Sequence, residues 1–202
     1  PEPGESGGVN GVVARCHKLA YSARMTQEAK ARLTAIQDDM ALAAKRSGRK
    51  AGDIALIAIS KTKPAEEIRP LIAAGQSAFG ENRVQEAQSK WPPLLAETPG
   101  LTLHLVGQLQ SNKADDAVAL FDVIHSVDRP SLVSALAKAQ AKAGRTPDCF
   151  IQVNIGNEPQ KGGCAISDLP ALLAEARAAG LSIVGLMAVP PEGVEAAPYF
   201  AL

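Results

Sequence analysis

Six short apolar runs set the frame for this chain, at residues 54–59, near 77–79, and at 101–106, 121–125, 149–155 and 182–188. Between them lie helical patterns at 65–74, 82–90, 113–120, 130–143 and 167–179, and a last one starting near 193. Strand–helix alternation of this kind predicts parallel strands and an α/β fold. The strands begin roughly every 20–30 residues, the spacing of a (β/α)8 barrel. A doubly wound open sheet shares the alternation but carries a glycine fingerprint after its first strand. Here that strand is followed by "SKTKP", which has no glycine. The predicted fold is therefore a TIM (β/α)8-type barrel, with six strand candidates rather than eight. Glycines close helices in "AKAGRTPD" and "AEARAAGLS". Pro70 falls inside 65–74, where it costs about 3 kcal/mol, and predicts a late start or a bend.

The ends of the chain stand apart. Residues 1–24 show no hydrophobic period and read as an extension, flexible at its start, or as a short arm packed through Val12, Val13 and Leu19. The domain is predicted to run from 25 to 202, its first helix starting at Thr26 with Leu33, Ile36, Met40 and Ala43 at helical spacing and Gly48 closing it. The last helix stops at Leu202, so the chain is expected to continue.

Composition removes several classes of function. The 21 basic and 21 acidic side chains cancel, which argues against a nucleic-acid binder working by phosphate neutralisation. Hydrophobic residues make up 46% of the chain and aromatic ones 3%, so the predicted core is aliphatic. No stretch is long enough to span a bilayer. Cys16, Cys149 and Cys164 form no CxxC pair, and His17, His104 and His125 show no metal-ligand spacing. A cytoplasmic protein without metal or membrane is expected.

In a parallel α/β fold the chemistry sits at the C-terminal ends of the strands. Five of the six ends are rich in polar residues: "SKTK" at 60–63, "GENR" at 80–83, "GQLQSNK" at 107–113, "HSVDR" at 125–129 and "NIGNEPQKGGC" at 154–164. The first interrupts a greasy run expected to be a buried strand. Residues two apart in a strand face one way, so Lys61 and Lys63 are expected on one side if the chain stays extended. Neighbouring ammonium groups disfavour each other's charge, and a neutral lysine can attack a carbonyl to form a Schiff base. Both could instead be solvated strand ends. Asn82 reads equally as a helix cap or a ligand contact. His104 reads as a packed, hydrogen-bonded histidine, and Asn112 and Lys113 as a helix start. Lys161 could be an ordinary surface lysine beside Gly162-Gly163, whose pairing is a weak sign of an anion nest. Cys164 has no partner pattern of a thiol enzyme.

"AISKTKP", "GENRVQEA", "HLVGQLQSNK", "HSVD", "QVNIGNEPQKGGC" and "GLMAV" occur in this order, and together they resemble the pyridoxal phosphate homeostasis proteins, related in fold to the N-terminal barrel of alanine racemase. The resemblance covers roughly residues 26–202. It implies a single-domain barrel that binds pyridoxal 5′-phosphate (PLP) and buffers or delivers it. Lys61 is implied as the Schiff-base lysine, with Lys63 and Lys161 supporting and Asn82 near the cofactor. PLP-dependent apoenzymes are implied as partners, and the protein is expected to be a monomer. Family members continue through two more strands, which are implied to hold the cofactor phosphate.

The resemblance implies a carrier or regulator rather than a turnover enzyme. Catalysis on an amino acid would need a second base and a closed, dry site. The alternatives are a PLP-dependent amino-acid racemase, which predicts exchange of an α-proton, and a Schiff-base aldolase without PLP.

Overall fold

The computed structural model describes the backbone of residues 8–201 and the side chains of residues 22–201. The chain divides into two compact units. One is built from the chain up to Leu56 together with Lys63–Ser77, the other from Ile57–Thr62 and Ala78 onward.

In the first unit, α1 (Gly8–Arg46) packs against α2 (Ala65–Ala73), with a short 3-10 turn at Ala51–Asp53 between them in sequence. The expected helix start at Thr26 is corrected here. One helix runs from Gly8, because residues 12–46 hold no proline or glycine to stop it. The Val12, Val13 and Leu19 side chains lie outside the described residues. Leu33 and Ala44 are buried, but Ile36 is 47% exposed and Ala43 is also exposed, so only part of the expected stripe is used. Pro70 neither delays nor ends α2, which starts at Ala65 and buries Ile68.

The second unit holds a single parallel sheet. Its strands are β1 (Ala58–Ile59), β2 (Ala78–Glu81), β3 (Thr102–Leu105), β4 (Val123–Val127), β5 (Asp148–Val153) and β6 (Ser182–Ala188). They lie side by side in chain order, all parallel. A sheet wound in one direction is the barrel arrangement; a doubly wound sheet reverses its strand order at a switch point. Connections run through α3 (Val84–Glu97), α4 (Ala114–Leu120), α5 (Pro130–Ala143) and α6 (Leu169–Ala178), and α7 (Ala197–Phe200) follows β6. α5 has proline at its first turn, and Gly144 at φ 61° closes it in the left-handed conformation.

One face of the sheet carries the main core. Phe79, Leu103, Leu105, Ile124 and Ile151 point to it, and Trp91, Val118, Leu132 and Leu136 of the helices are equally buried. This core explains why α3 extends past the expected end at 90, through Pro92 and Pro93. Trp91 packs at a tilt against Phe79 with ring centroids 5.1 Å apart, and Leu94 is buried one turn on. Burying two such side chains contributes about 1.5–3 kcal/mol each, enough to offset much of the proline cost. The expected buried strand at 54–59 shrinks to two residues, with Ile59 51% exposed, since among the described residues β1 pairs with β2 alone.

Candidate functional site

The turn after β1 departs from the extended chain. Ser60 still belongs to the sheet, its N–H donating to the Gly80 carbonyl at 2.9 Å. Thr62 then adopts φ 63°, a region a β-branched residue rarely enters. Lys61 and Lys63 therefore do not continue one strand face. Lys63 is exposed and pairs with Glu67 at 2.9 Å, one helical turn on. Lys61 is also exposed, and no described residue bonds to it.

Side chains of α3 hold the residues on either side of Lys61. The Thr62 N–H donates to Glu86 Oε1 at 2.5 Å. Lys90 Nζ donates to the Ser60 carbonyl at 2.9 Å and ion-pairs with Glu81 Oε1 at 2.8 Å and Glu86 Oε1 at 3.1 Å. Glu81 is fully buried, and its Oε1 also accepts from Ser60 Oγ at 2.6 Å and Trp91 Nε1 at 2.9 Å. Burial alone would raise the Glu86 pKa, but the Thr62 N–H and the Lys90 ammonium outweigh it, with Arg83 adding attraction, and hold it below the usual 4.5.

Beyond β2 the chain builds a cavity of about 280 Å³. Asn82, Gln108, Gln152, Asn154 and Lys161 line it, with Val106, Met187 and Val189 as apolar wall. Two glycines make it possible. A Cβ on Gly107 would lie 2.7 Å from Asn82 Cα and closer still to its carbonyl oxygen, and one on Gly162 would overlap the Gln108 amide. Most of the polar lining is already engaged. Gln108 Nε2 donates to Gln152 Oε1 at 2.6 Å, Gln152 Nε2 to the Gly162 carbonyl at 3.2 Å, and Asn154 Nδ2 to the Glu158 carbonyl at 2.8 Å. Lys161 pairs with Glu158 at 2.7 Å and donates to the Pro190 carbonyl at 3.0 Å. The Gly163 N–H reaches Asp128 Oδ2 at 3.4 Å, so the Gly162-Gly163 pair offers no open nest.

Asn82 is different. Arg83, not Asn82, is the N-cap of α3, and no side chain caps that helix, so the capping alternative is set aside. Asn82 lines the cavity, and its side-chain amide bonds to no described residue. The β1–β2 register pairs Ala58 with Phe79 and Ile59 with Gly80, so Lys61 and Asn82 follow the C-terminal ends of two neighbouring strands. Of the four residues singled out in the sequence, Asn82 and Lys161 line the cavity, Lys61 stands on the adjoining strand end, and Lys63 belongs to the other unit.

On the sheet face that bears Gly80 and Val106, His104 Nδ1 lies 2.9 Å from His125 Nε2, and Phe150 stacks flat on His125 at 4.5 Å. His104 is thus the packed, hydrogen-bonded histidine expected. Its partner His125 lies inside β4 rather than after it. Burial, helped by His104, pushes His125 down to about 4, and burial lowers His104 as well. Burial also raises the Cys164 thiol, which keeps it protonated.

Sequence reasoning missed Glu81, Glu86 and Lys90. A signal was present: Val84, Ala87, Trp91 and Leu94 form the buried stripe of α3, and Lys90 falls on it. A lysine on an apolar stripe calls for a buried anion.

The family model for the N-terminal domain of alanine racemase matches residues 17–200. The pyridoxal phosphate homeostasis protein of Pseudomonas aeruginosa is 43% identical over 162 residues, covering 79% of this chain and 69% of that protein. The structure of PipY from Synechococcus elongatus with PLP bound is 44% identical, with a TM-score of 0.67 over 79% of this chain and 74% of that one. Alanine racemase from Bacillus anthracis superposes with a TM-score of 0.58 over 84% of this chain and 43% of that one; at 16% identity the likeness is one of fold alone. No helix among the described residues is long and apolar enough to cross a membrane.

Proposed function

The chain belongs to the alanine racemase N-terminal domain family and, within it, to the pyridoxal phosphate homeostasis proteins, and from that premise we propose that it binds PLP through Lys61 and serves to hold and release it in the cytoplasm. One observation carries the assignment of residues. Of the four candidates, Lys61 and Asn82, which follow the ends of the paired strands β1 and β2, engage no described residue, whereas Lys63 and Lys161 are already paired.

The donor set suits the cofactor. PLP supplies an aldehyde that a lysine amine captures reversibly with loss of water. Lys61 offers an unengaged amine. Asn82 offers a free amide to a polar ring substituent, and Lys161, held by Glu158 and the Pro190 carbonyl, supports the cavity wall. Val106, Met187 and Val189 provide apolar surface for a flat ring. Lys63 keeps the supporting role that the resemblance implies, its charge moderated by Glu67.

We propose further that the protein holds the cofactor without turnover. The relatives' designation as homeostasis proteins supports this. So does the cavity: Lys161 is its ionisable lining residue and is tied to Glu158 and Pro190, poorly placed to serve as a mobile base. Apoenzymes that use PLP are the natural recipients, and the proposed working form is the monomer.

The test is borohydride reduction of the PLP-loaded protein followed by peptide mapping. The expected product is a pyridoxyl group on Lys61, absent from Lys61→Ala. An adduct on Lys63 or Lys161 and never on Lys61 overturns the assignment. Solvent deuterium entering the α-carbon of an amino acid at an enzymatic rate, and lost in Lys61→Ala, would overturn the non-catalytic reading in favour of a racemase.

A further inference from the structure

We propose that Glu86 is a positioning residue for Lys61: its carboxylate holds Thr62 in the left-handed conformation and thereby fixes the direction in which Lys61 leaves the sheet. The proposal rests on the reading of Lys61 as the PLP lysine and adds a residue outside the cavity to that site. A threonine at φ 63° is sterically disfavoured and persists only where its surroundings over-determine it. Here they do. The Thr62 N–H is bound to Glu86 Oε1, and that oxygen is held by Lys90. Lys90 in turn binds the Ser60 carbonyl and the buried Glu81, whose carboxylate takes the Ser60 hydroxyl.

The residues before and after Lys61 are thus both fixed from α3, while the Lys61 side chain itself touches no partner. That is the division of labour a covalent lysine needs. The backbone is set in advance, so capture of an aldehyde does not have to order it, and the amine is left unpaired for attack. Without Glu86, Thr62 is released toward its ordinary extended or helical conformations. The vector of Lys61 then spreads over several directions, and only a fraction of the molecules present the amine in the binding-competent direction. Apparent affinity falls by that fraction.

The experiment uses the full chain with Glu86→Ala and Glu86→Gln. Glutamine keeps an oxygen to accept from Thr62, so it is the conservative variant. PLP is titrated by absorbance, and protection of the Thr62 amide is followed by hydrogen exchange in the PLP-free protein. For Glu86→Ala we expect PLP affinity to fall about tenfold, the effect of losing a hydrogen bond to a charged group. We also expect Thr62 protection to be lost and the melting temperature to move little, since Glu86 lies at the surface end of the network. Glu86→Gln is expected to recover most of the affinity and the protection. If wild type takes PLP on Lys61 and Glu86→Ala binds it equally well, the positioning role is wrong while the function stands. Equal loss of affinity in both variants means that charge, not the hydrogen bond to Thr62, matters, and also overturns it. If wild type takes no PLP on Lys61, the functional reading fails and the role of Glu86 toward the cofactor fails with it.

Discussion

Two polar clusters are buried on opposite faces of the same sheet, and they solve the problem of burial in opposite ways. On the helix-covered face, Glu81 and Lys90 are ion-paired, and Glu81 Oε1 also takes Ser60 and Trp91, while Oε2 is buried without a hydrogen bond among the described residues. On the other face, His104 and His125 meet nitrogen to nitrogen, a bond that needs one protonated and one bare ring nitrogen, and Phe150 stacks on His125. One cluster is held by opposite charge, the other by keeping charge out. The first reaches the turn that carries Lys61. The second lies within the strands, where burial disfavours an imidazolium and Asp122 only partly offsets that at His104.

The comparison breaks hardest at Lys90. Lys90→Met leaves the Glu81 carboxylate buried without its cation, a change that costs about 3–5 kcal/mol. Urea unfolding should show that loss, and Glu81→Gln added to Lys90→Met should restore a good part of it, because the orphan charge is gone. A loss below about 1 kcal/mol would put the pair in the class of surface bridges and dissolve the contrast.

The histidine cluster is tested by pH. With His125 lowered from 6.5 to about 4, the unfolded chain binds a proton between those values that the fold refuses. Its contribution is complete above pH 6.5 and is lost as pH falls through 4. The loss over that window is up to about 3 kcal/mol, at 1.36 kcal/mol per pKa unit. The groups facing His125 are His104, itself lowered, and the uncharged ring of Phe150. Thermal melts from pH 7 to pH 4 should fall along this curve, and His125→Leu should flatten it. A wild-type profile without slope between 6.5 and 4 would mean that the pair accepts charge after all.

The two clusters also differ in how far the sequence reveals them. His104 announces itself as a polar residue inside an apolar run, and alternation along the strand is enough to read it as packed. The charged cluster is hidden by neighbours that mean something else. Glu81 sits in "GENR", which reads as a turn and cap because glycine and asparagine are turn residues, yet Gly80 and Glu81 are strand. The strand order follows from the alternation, and α5 matches its expected span because Pro130 and Gly144 are unambiguous stops. The ends of α1 and α3 were not legible. α1 extends into polar sequence with nothing to break it, and α3 crosses two prolines because tertiary packing of Trp91 and Leu94 outweighs local propensity. Lys61 could be named from the sequence, but not Thr62 at φ 63°. That conformation is imposed by Glu86, a residue 24 positions on.

The smallest expected effect sharpens the contrast where the charged cluster meets solvent. Glu86 is the cluster's outermost member, its side chain 28% exposed, facing Lys90, Arg83 and the Thr62 N–H. Its carboxyl is held below 4.5, so its contribution is present above that value and is lost as pH falls through the lower folded value. The fold should barely respond, because exposed charges are well screened. The turn should respond more. Protonation removes the attraction to Lys90 and weakens the bond to the Thr62 amide. We expect the Thr62 amide resonance to titrate with a midpoint below 4.5, to lose the transition in Glu86→Gln, and to do so while the core amides of Leu103 and Leu105 stay fixed. A Thr62 resonance that follows His125 instead, near pH 4 and unchanged in Glu86→Gln, would show that the two faces of the sheet titrate as one system rather than as two.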